Sequence, residues 1–402
     1  MSDVAQLLAD WAVQLQPTKS DLALADRALV DVVAVALAAR DDAIRGVAAT
    51  LPEVGQWATF GHVLDFDDLH MPSTTHISVV CVPVALAAGG DARAYLAGAG
   101  VMARLGTALG WSHYAEGWHA TCTAGAPAAA VTASVALGLD AEATARAIAL
   151  AIPAAGGVQR AFGTQAKSLQ VGFAAAAGLR GAQLAAAGAS ADTSAVGEWL
   201  RLVGGDAGFL DVTGPAVPGG LAIKLHPCCY AMQRPIAAMR EVNVDANDVA
   251  RVVVRTPTAT VQPLLHARPR TGLEGKFSLE YAVAAALLDD FPGFDSFTDA
   301  AVARPEAVRL VEAVEVELTP GGDGLLVGTC TVEITRRDGS VVSTELAVPP
   351  GGPARPPSDL ELAAKVRTCV GDLAGEVTGV RWDSAAALLR SLLPEPAHST
   401  RV

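Results

Sequence analysis

The sequence predicts a mainly α protein with one α+β insertion: an all-helical domain plus a smaller α+β lid. Two changes of pattern predict it. Up to about residue 212 the chain is rich in Ala, Leu and Val, with polar residues at helical spacing. After the Gly/Pro-rich stretch Val212–Gly220 the apolar runs become short and β-branched, and after Pro349-Pro-Gly-Gly-Pro353 helical spacing returns. The expected boundaries are 1–215 for the first part of the helical domain, 216–350 for the lid and 351–402 for the helical return.

Each element follows from its residues. Asp21–Arg40 reads as a mostly buried helix. The acidic run Asp65-Phe-Asp-Asp68 reads as an irregular turn opening a helix over about Ser78–Gly89. Asp91–Leu109, Ala124–Leu137 and Ala141–Ala151 are helices, the last capped by Asp140 after a Gly-Leu turn. Ser168–Gly188 is a long helix whose Ala and Gly residues allow close approach of its neighbours. In the insertion, Val249–Thr256, Ala313–Leu318, Thr329–Thr335 and Ser340–Ala347 read as strands. A Gly-rich loop joins the second to the third, and Arg336-Arg-Asp-Gly339 is a hairpin turn before the fourth. Ser278–Leu288 is a helix between the first two. Asp359–Leu373 and Ser384–Leu393 are the closing helices, and no repeat of fixed period is present.

Composition excludes several function classes. A net charge of −13 makes nucleic acid an unsuitable partner, and an anionic substrate would need a local basic pocket. Mean hydropathy is +0.35, yet runs such as Val32–Ala39 and Val79–Gly89 fall short of the roughly 20 residues that span a bilayer. No membrane association is expected. The start, Met-Ser-Asp-Val-Ala-Gln, lacks the basic end and apolar core of a signal peptide. The six cysteines show no C-x-x-C spacing, so a reduced, cytoplasmic protein without an iron–sulfur cluster is expected.

Histidine and lysine usage points to chemistry. Five of eight histidines, His62, His70, His76, His113 and His119, fall in one short stretch, and the first three frame the acidic run. Histidines clustered with carboxylates suit proton transfer or metal binding. Carboxylates at i, i+2 and i+3 would also suit Mg²⁺, but no second acidic metal motif follows. The chain has only five lysines, Lys19, Lys167, Lys224, Lys276 and Lys365, against a strong bias to arginine. A lysine kept against that bias is a candidate for a role that needs lysine.

His62-Val-Leu-Asp-Phe-Asp-Asp68 and His76-Ile-Ser78 resemble the signature of the MmgE/PrpD family. That family includes 2-methylcitrate dehydratase, cis-aconitate decarboxylase and iminodisuccinate epimerase. The resemblance continues in order through Gly117-Trp-His119, Lys167 with Gly172, Lys224–Cys229 and Lys276–Tyr281. It implies the two-domain plan, with an active site between helical domain and lid. It also implies His76, His119, Lys167, Lys224 and Tyr281 as catalytic residues in a cofactor-independent pocket without metal. Asp65 is expected beside them, orienting a histidine, with His62, His70 and Lys276 as substrate-binding candidates. His113 is expected in packing or at the surface, His226 is ambiguous, and Cys228-Cys229 is expected to pack beneath a lysine. Two departures stand out. The segment between Arg45 and His62 is short, and Leu69 stands where the family usually has threonine.

The resemblance implies a lyase acting alpha to a carboxylate of a small di- or tricarboxylic acid, with dehydration first. Epimerisation and decarboxylation are the alternatives, and a diverged or non-catalytic member is the reading from a different class. A homodimer with its interface on the helical domain is expected.

Overall fold

The computed structural model describes residues 3–393. Residues 1–2 and 394–402, the outer ends of the two helical segments, lie outside the described residues. The apolar side chains gather into two cores. One joins residues between Val4 and Val217 to residues between Val366 and Leu393, and the other is drawn mainly from residues between Ala222 and Ile334.

The first core is built from helices of small residues. The Lys19–Ala38 helix starts at a capping box, in which Thr18 and Asp21 satisfy each other's backbone N–H groups. Val32–Leu37 are all buried within it, although Asp31 is buried beside them. Removing a carboxylate from water costs several kcal/mol, more than the roughly 1.5–3 kcal/mol one buried apolar side chain returns. Lys365 offsets that cost with an ion pair to Asp31 at 2.6 Å. It comes from the Asp359–Val370 helix, which is how the closing segment is tied to the first core. The Ala120–Ala136 helix packs between Ala92–Ala115 and Ala166–Ala186. A Cβ on Gly178 would stand 2.6 Å from the Ala126 carbonyl oxygen, so the close approach of those last two backbones requires glycine there.

Four strands form one sheet in the order β2-β1-β3-β4: β1 Val249–Pro257, β2 Val314–Thr319, β3 Cys330–Arg336 and β4 Val341–Leu346. The β1–β2 pair is parallel, with Val252 opposite Val314, and the remaining pairs are antiparallel, with Val252 opposite Ile334 and Ile334 opposite Val342. The Gly-rich loop after β2 therefore crosses β1 instead of closing a hairpin. Helices Tyr230–Met239, Leu279–Leu288 and Pro305–Ala313 pack on the sheet. The exposed pairs Arg251–Glu315 and Arg255–Glu317 link β1 to β2.

Boundaries agree with the sequence reading to within a few residues for Lys19–Ala38, Ser78–Ala87, Ala141–Ala151, Ala166–Ala186 and all four strands. Asp91–Leu109 is an informative difference. The helix kinks at Gly110, whose φ is 70°, then continues to Ala115. That extra stretch carries His113 and Tyr114.

Candidate active site

The acidic run is a turn held from four sides by lysines. Lys276 Nζ donates to the Leu64 carbonyl at 2.9 Å, Lys224 Nζ to the Asp65 carbonyl at 2.9 Å and Lys365 Nζ to the Phe66 carbonyl at 2.7 Å. Lys167 Nζ reaches the Asp65 carboxylate at 2.7 Å, and Lys224 reaches the same oxygen at 3.1 Å. Four of the chain's five lysines thus converge here, while Lys19 is exposed. Asp65 has φ 52°, a left-handed conformation that costs roughly 1–3 kcal/mol outside glycine and persists only when its surroundings over-determine it. Bonds to three successive carbonyls supply that determination.

The three carboxylates of the run face different partners. Burial would raise the Asp65 pKa, but Lys167 and Lys224 outweigh it and hold it well below the usual range. Burial acts likewise on Asp67, where His62 and His76 prevail and keep it low. Asp68 lacks a cationic partner of this kind. Burial pushes it up to about 7, with Asp31 and Asp67 adding to the effect against its bond from Ser78.

Asp67 organises two histidines. His62 Nδ1 lies 2.8 Å and His76 Nδ1 3.1 Å from the same Asp67 oxygen. His62 Nε2 accepts from Lys167 Nζ at 2.6 Å, so both its nitrogens are engaged. The rings of His62 and His76 meet edge to face at 4.7 Å, and His119 stacks on His62 at 5.8 Å. Burial lowers the pKa of all three, His62 to about 4 and His119 well below the ordinary value, so they rest as neutral imidazoles.

The backbone delivers His119 to this cluster through a short bridge. Trp118 pairs with Val158, and His119 N–H donates to the Gly157 carbonyl at 3.0 Å. Gly157 has φ 112°, and a Cβ there would stand 2.8 Å from Cys122 Cβ. Only glycine lets the bridge close over the first turn of the Ala120–Ala136 helix.

A small cavity opens beside these groups. Asp65, His76, His119, Lys167 and Tyr114 supply its polar lining, and Leu69, Phe162, Phe277 and Leu325 its apolar lining. Residues after 216 contribute Cys229, Tyr230, Phe277 and Leu325. Leu325 sits on the Gly-rich loop after β2. The buried Arg234 anchors that loop by donating to the carbonyls of Leu326 and Gly328 at 3.2 and 2.9 Å.

Several candidates from the sequence stand elsewhere. Tyr281 is fully buried in the second core and donates to the Ser296 carbonyl at 2.5 Å, away from the cavity lining. Its position on the Leu279–Leu288 helix turns it toward Phe297. Lys224 is also fully buried, behind Asp65. Burial alone would lower its pKa, but Asp65 and Asp67 raise it above the ordinary value. Lys276 holds the carbonyls of Leu64 and Pro227, and burial lowers it to about 8. His70 is locked between Ser73 Oγ and the Pro218 carbonyl, outside the lining. Asp65 contacts lysines, and the neighbour that orients histidines is Asp67. His113 is buried against the Val203 carbonyl and Thr123, and His226 against the Pro292 carbonyl. Asp67 was visible in the motif. Tyr114, Gln170 and Leu325 had no sequence signal, because kink, bridge and loop bring them in.

Among the described residues one set of donors has metal-like spacing: groups on His62, Asp67 and His76 lie within 4.8 Å of one another. An ion there would need a lone pair from each imidazole. His62 already gives its Nε2 lone pair to Lys167, which leaves Nδ1 protonated on Asp67. With the His62 lone pair taken by Lys167, the set leaves an ion only His76 and Asp67, too few protein ligands for a divalent site.

Fold and site together give two apolar cores and a buried cluster of histidines, carboxylates and lysines beside a small cavity. Models of the MmgE/PrpD N-terminal domain and C-terminal domain match residues 56–216 and 226–389, and the chain belongs to the MmgE/PrpD family. It is 26% identical over 367 residues to a cis-aconitate decarboxylase of Aspergillus terreus (strain NIH 2624 / FGSC A1156), covering 79% of this chain and 74% of that protein. A second cis-aconitate decarboxylase of Aspergillus terreus matches at the same identity and coverage. Membership and these relatives support an enzyme of lyase type at family level. Among the described residues no helix is long and apolar enough to cross a membrane.

Proposed function

We propose that this protein is a lyase acting at the carbon alpha to a carboxylate of a small di- or tricarboxylic acid. The observation that carries the reading is the pair of neutral imidazoles, His76 and His119, lining one cavity with Lys167. A neutral imidazole can accept the alpha proton, and the Lys167 amine stands where it can meet carboxylate or enolate charge. Asp65 and Lys224 support this arrangement by setting the position of Lys167. Residues 216–350 act as the lid that closes the apolar lining over the substrate. Leu69 in that lining suits a substrate that is apolar on one side.

Dehydration is the first expectation: His76 takes the alpha proton and returns it to the departing hydroxyl, so that water leaves. Decarboxylation is a second reading, favoured by the two decarboxylase relatives. Epimerisation would differ only in returning the proton to the other face of the carbon. Proton NMR of candidate acids in deuterium oxide tests the reading. Alpha exchange with loss of a hydroxyl, loss of CO₂ or neither separates the three outcomes, and no exchange with any candidate counts against all of them.

A further inference from the structure

We infer that Gln170 and Asp67 are positioning residues that hold the two cavity histidines in opposite tautomers, His76 as proton acceptor and His119 as hydrogen-bond donor. The inference rests on the proposed proton chemistry and adds a division of labour to it.

For His119 the geometry fixes the tautomer from one side. Gln170 Nε2 lies 2.7 Å from His119 Nδ1. The amide cannot be turned the other way, because its Oε1 accepts from Val158 N–H at 3.1 Å, and a turned amide would set N–H against N–H. Gln170 Nε2 also reaches the Val158 carbonyl at 3.3 Å. Nδ1 of His119 must therefore be an acceptor. The Cys122 thiol approaches the same nitrogen at 3.3 Å, and burial raises its pKa, so it too is a donor. A neutral imidazole with Nδ1 accepting carries its proton on Nε2. That nitrogen is buried, has no partner and belongs to the ring lining the cavity.

For His76 the opposite holds. Its Nδ1 lies 3.1 Å from the Asp67 oxygen that already bonds His62, close but out of line for a second hydrogen bond. Two lone pairs at that distance repel, so Nδ1 carries the proton and Nε2 keeps its lone pair. His62 cannot share the task, since Lys167 occupies its Nε2.

The consequence is chemical. Giving up its only proton would turn His119 into an imidazolate, so it donates a hydrogen bond to a developing enolate oxygen and keeps the proton. His76 is the group that carries a proton from the alpha carbon and back. Neutral imidazole used as an electrophile is a known solution to this problem.

The test reads tautomers in the resting full-length protein, labelled with ¹⁵N-histidine, by long-range ¹H–¹⁵N correlation spectra. Single His76→Gln and His119→Gln variants assign the signals. The wild type is expected to show His119 protonated on Nε2 and His76 on Nδ1. The reverse for either ring overturns the inference. Gln170→Glu keeps the shape but presents acceptors only, and should move the His119 proton to Nδ1 while His76 stays unchanged. An unmoved His119 signal in a folded Gln170→Glu protein overturns the role of Gln170. If that variant fails to fold, Gln170→Met, which removes the donor and leaves only Cys122, replaces it and should broaden or shift the His119 signals alone; unchanged signals overturn the role equally. Once a substrate is in hand, Gln170→Glu should lower kcat by ~10²–10⁴-fold with little change in KM. The spectra need no substrate, so failure of the proposed function and failure of this assignment are separate results.

Discussion

Replacing Lys224 by methionine separates a lysine that holds the acidic turn from one that holds the substrate. Lys224 Nζ makes two contacts, to the Asp65 carboxylate at 3.1 Å and to the Asp65 carbonyl at 2.9 Å. Methionine fills similar volume but leaves Asp65 buried with Lys167 as its remaining cation, and leaves one carbonyl unpaired. Breaking a buried ion pair costs ~3–5 kcal/mol, and an unsatisfied buried acceptor ~1–3 kcal/mol. Because Lys167 still neutralises Asp65, the two costs overlap and ~3–5 kcal/mol is the working figure. At ~2–4 °C per kcal/mol for a domain of this size, Tm should fall by roughly 6–20 °C in differential scanning calorimetry. A Tm within 2 °C of wild type, together with a raised KM, would refute this reasoning and return Lys224 to the substrate.

Other expectations follow from the same site. His62, His70 and His226 each fall to about 4 in the folded protein, so between about pH 4 and the unfolded value near 6.5 the unfolded chain binds more protons. Stability therefore falls on acidification across that window by ~1.4 kcal/mol per pH unit for each histidine. Asp68, raised to about 7, acts with opposite sign and cancels about one of the three. Thermal melts at pH 6.5 and 5 should show a net loss at the lower pH, and a flat or rising Tm would contradict the burial of these rings. Activity should survive EDTA, and loss on chelation restored by Mg²⁺ would give the histidine–Asp67 cluster a metal after all. A homodimer is expected, with Phe173 and Leu184, both exposed on the Ala166–Ala186 helix, as its candidate apolar contacts. Sedimentation as a single 40.9 kDa species at micromolar concentration would contradict that.

Much of the fold was legible in the sequence, because helical and strand periodicities change where the chain passes from one core to the other. The strand order was not legible. Periodicity marks strands but does not say that β1 lies between β2 and β3. The site was legible where chemistry and scarcity coincide. Scarcity singles out Lys167, Lys224 and Lys276, yet only Lys167 lines the cavity beside His76 and His119, and Lys276 lines an adjoining one. Lys365 lies outside every motif, yet it holds the Phe66 carbonyl by the same device. A lysine that caps a buried carbonyl and one that meets substrate leave the same mark in a sequence. Tyr281 differs from expectation for a related reason, since rarity cannot distinguish a phenol in a cleft from one bonded to a core carbonyl. The motif shows Asp67 but not its role, because neighbouring carboxylates look alike until the turn aims them apart.

The central claim is that His76 removes a proton alpha to a carboxylate inside the closed cleft. Deuterium incorporation at the alpha carbon, followed by proton NMR over a panel of small di- and tricarboxylic acids, measures it directly. The wild type and Lys19→Ala should exchange at least one acid at equal rates, and His76→Ala should slow that exchange by ~10²–10⁴-fold. Full exchange in the His76→Ala, His119→Ala double variant would contradict the claim.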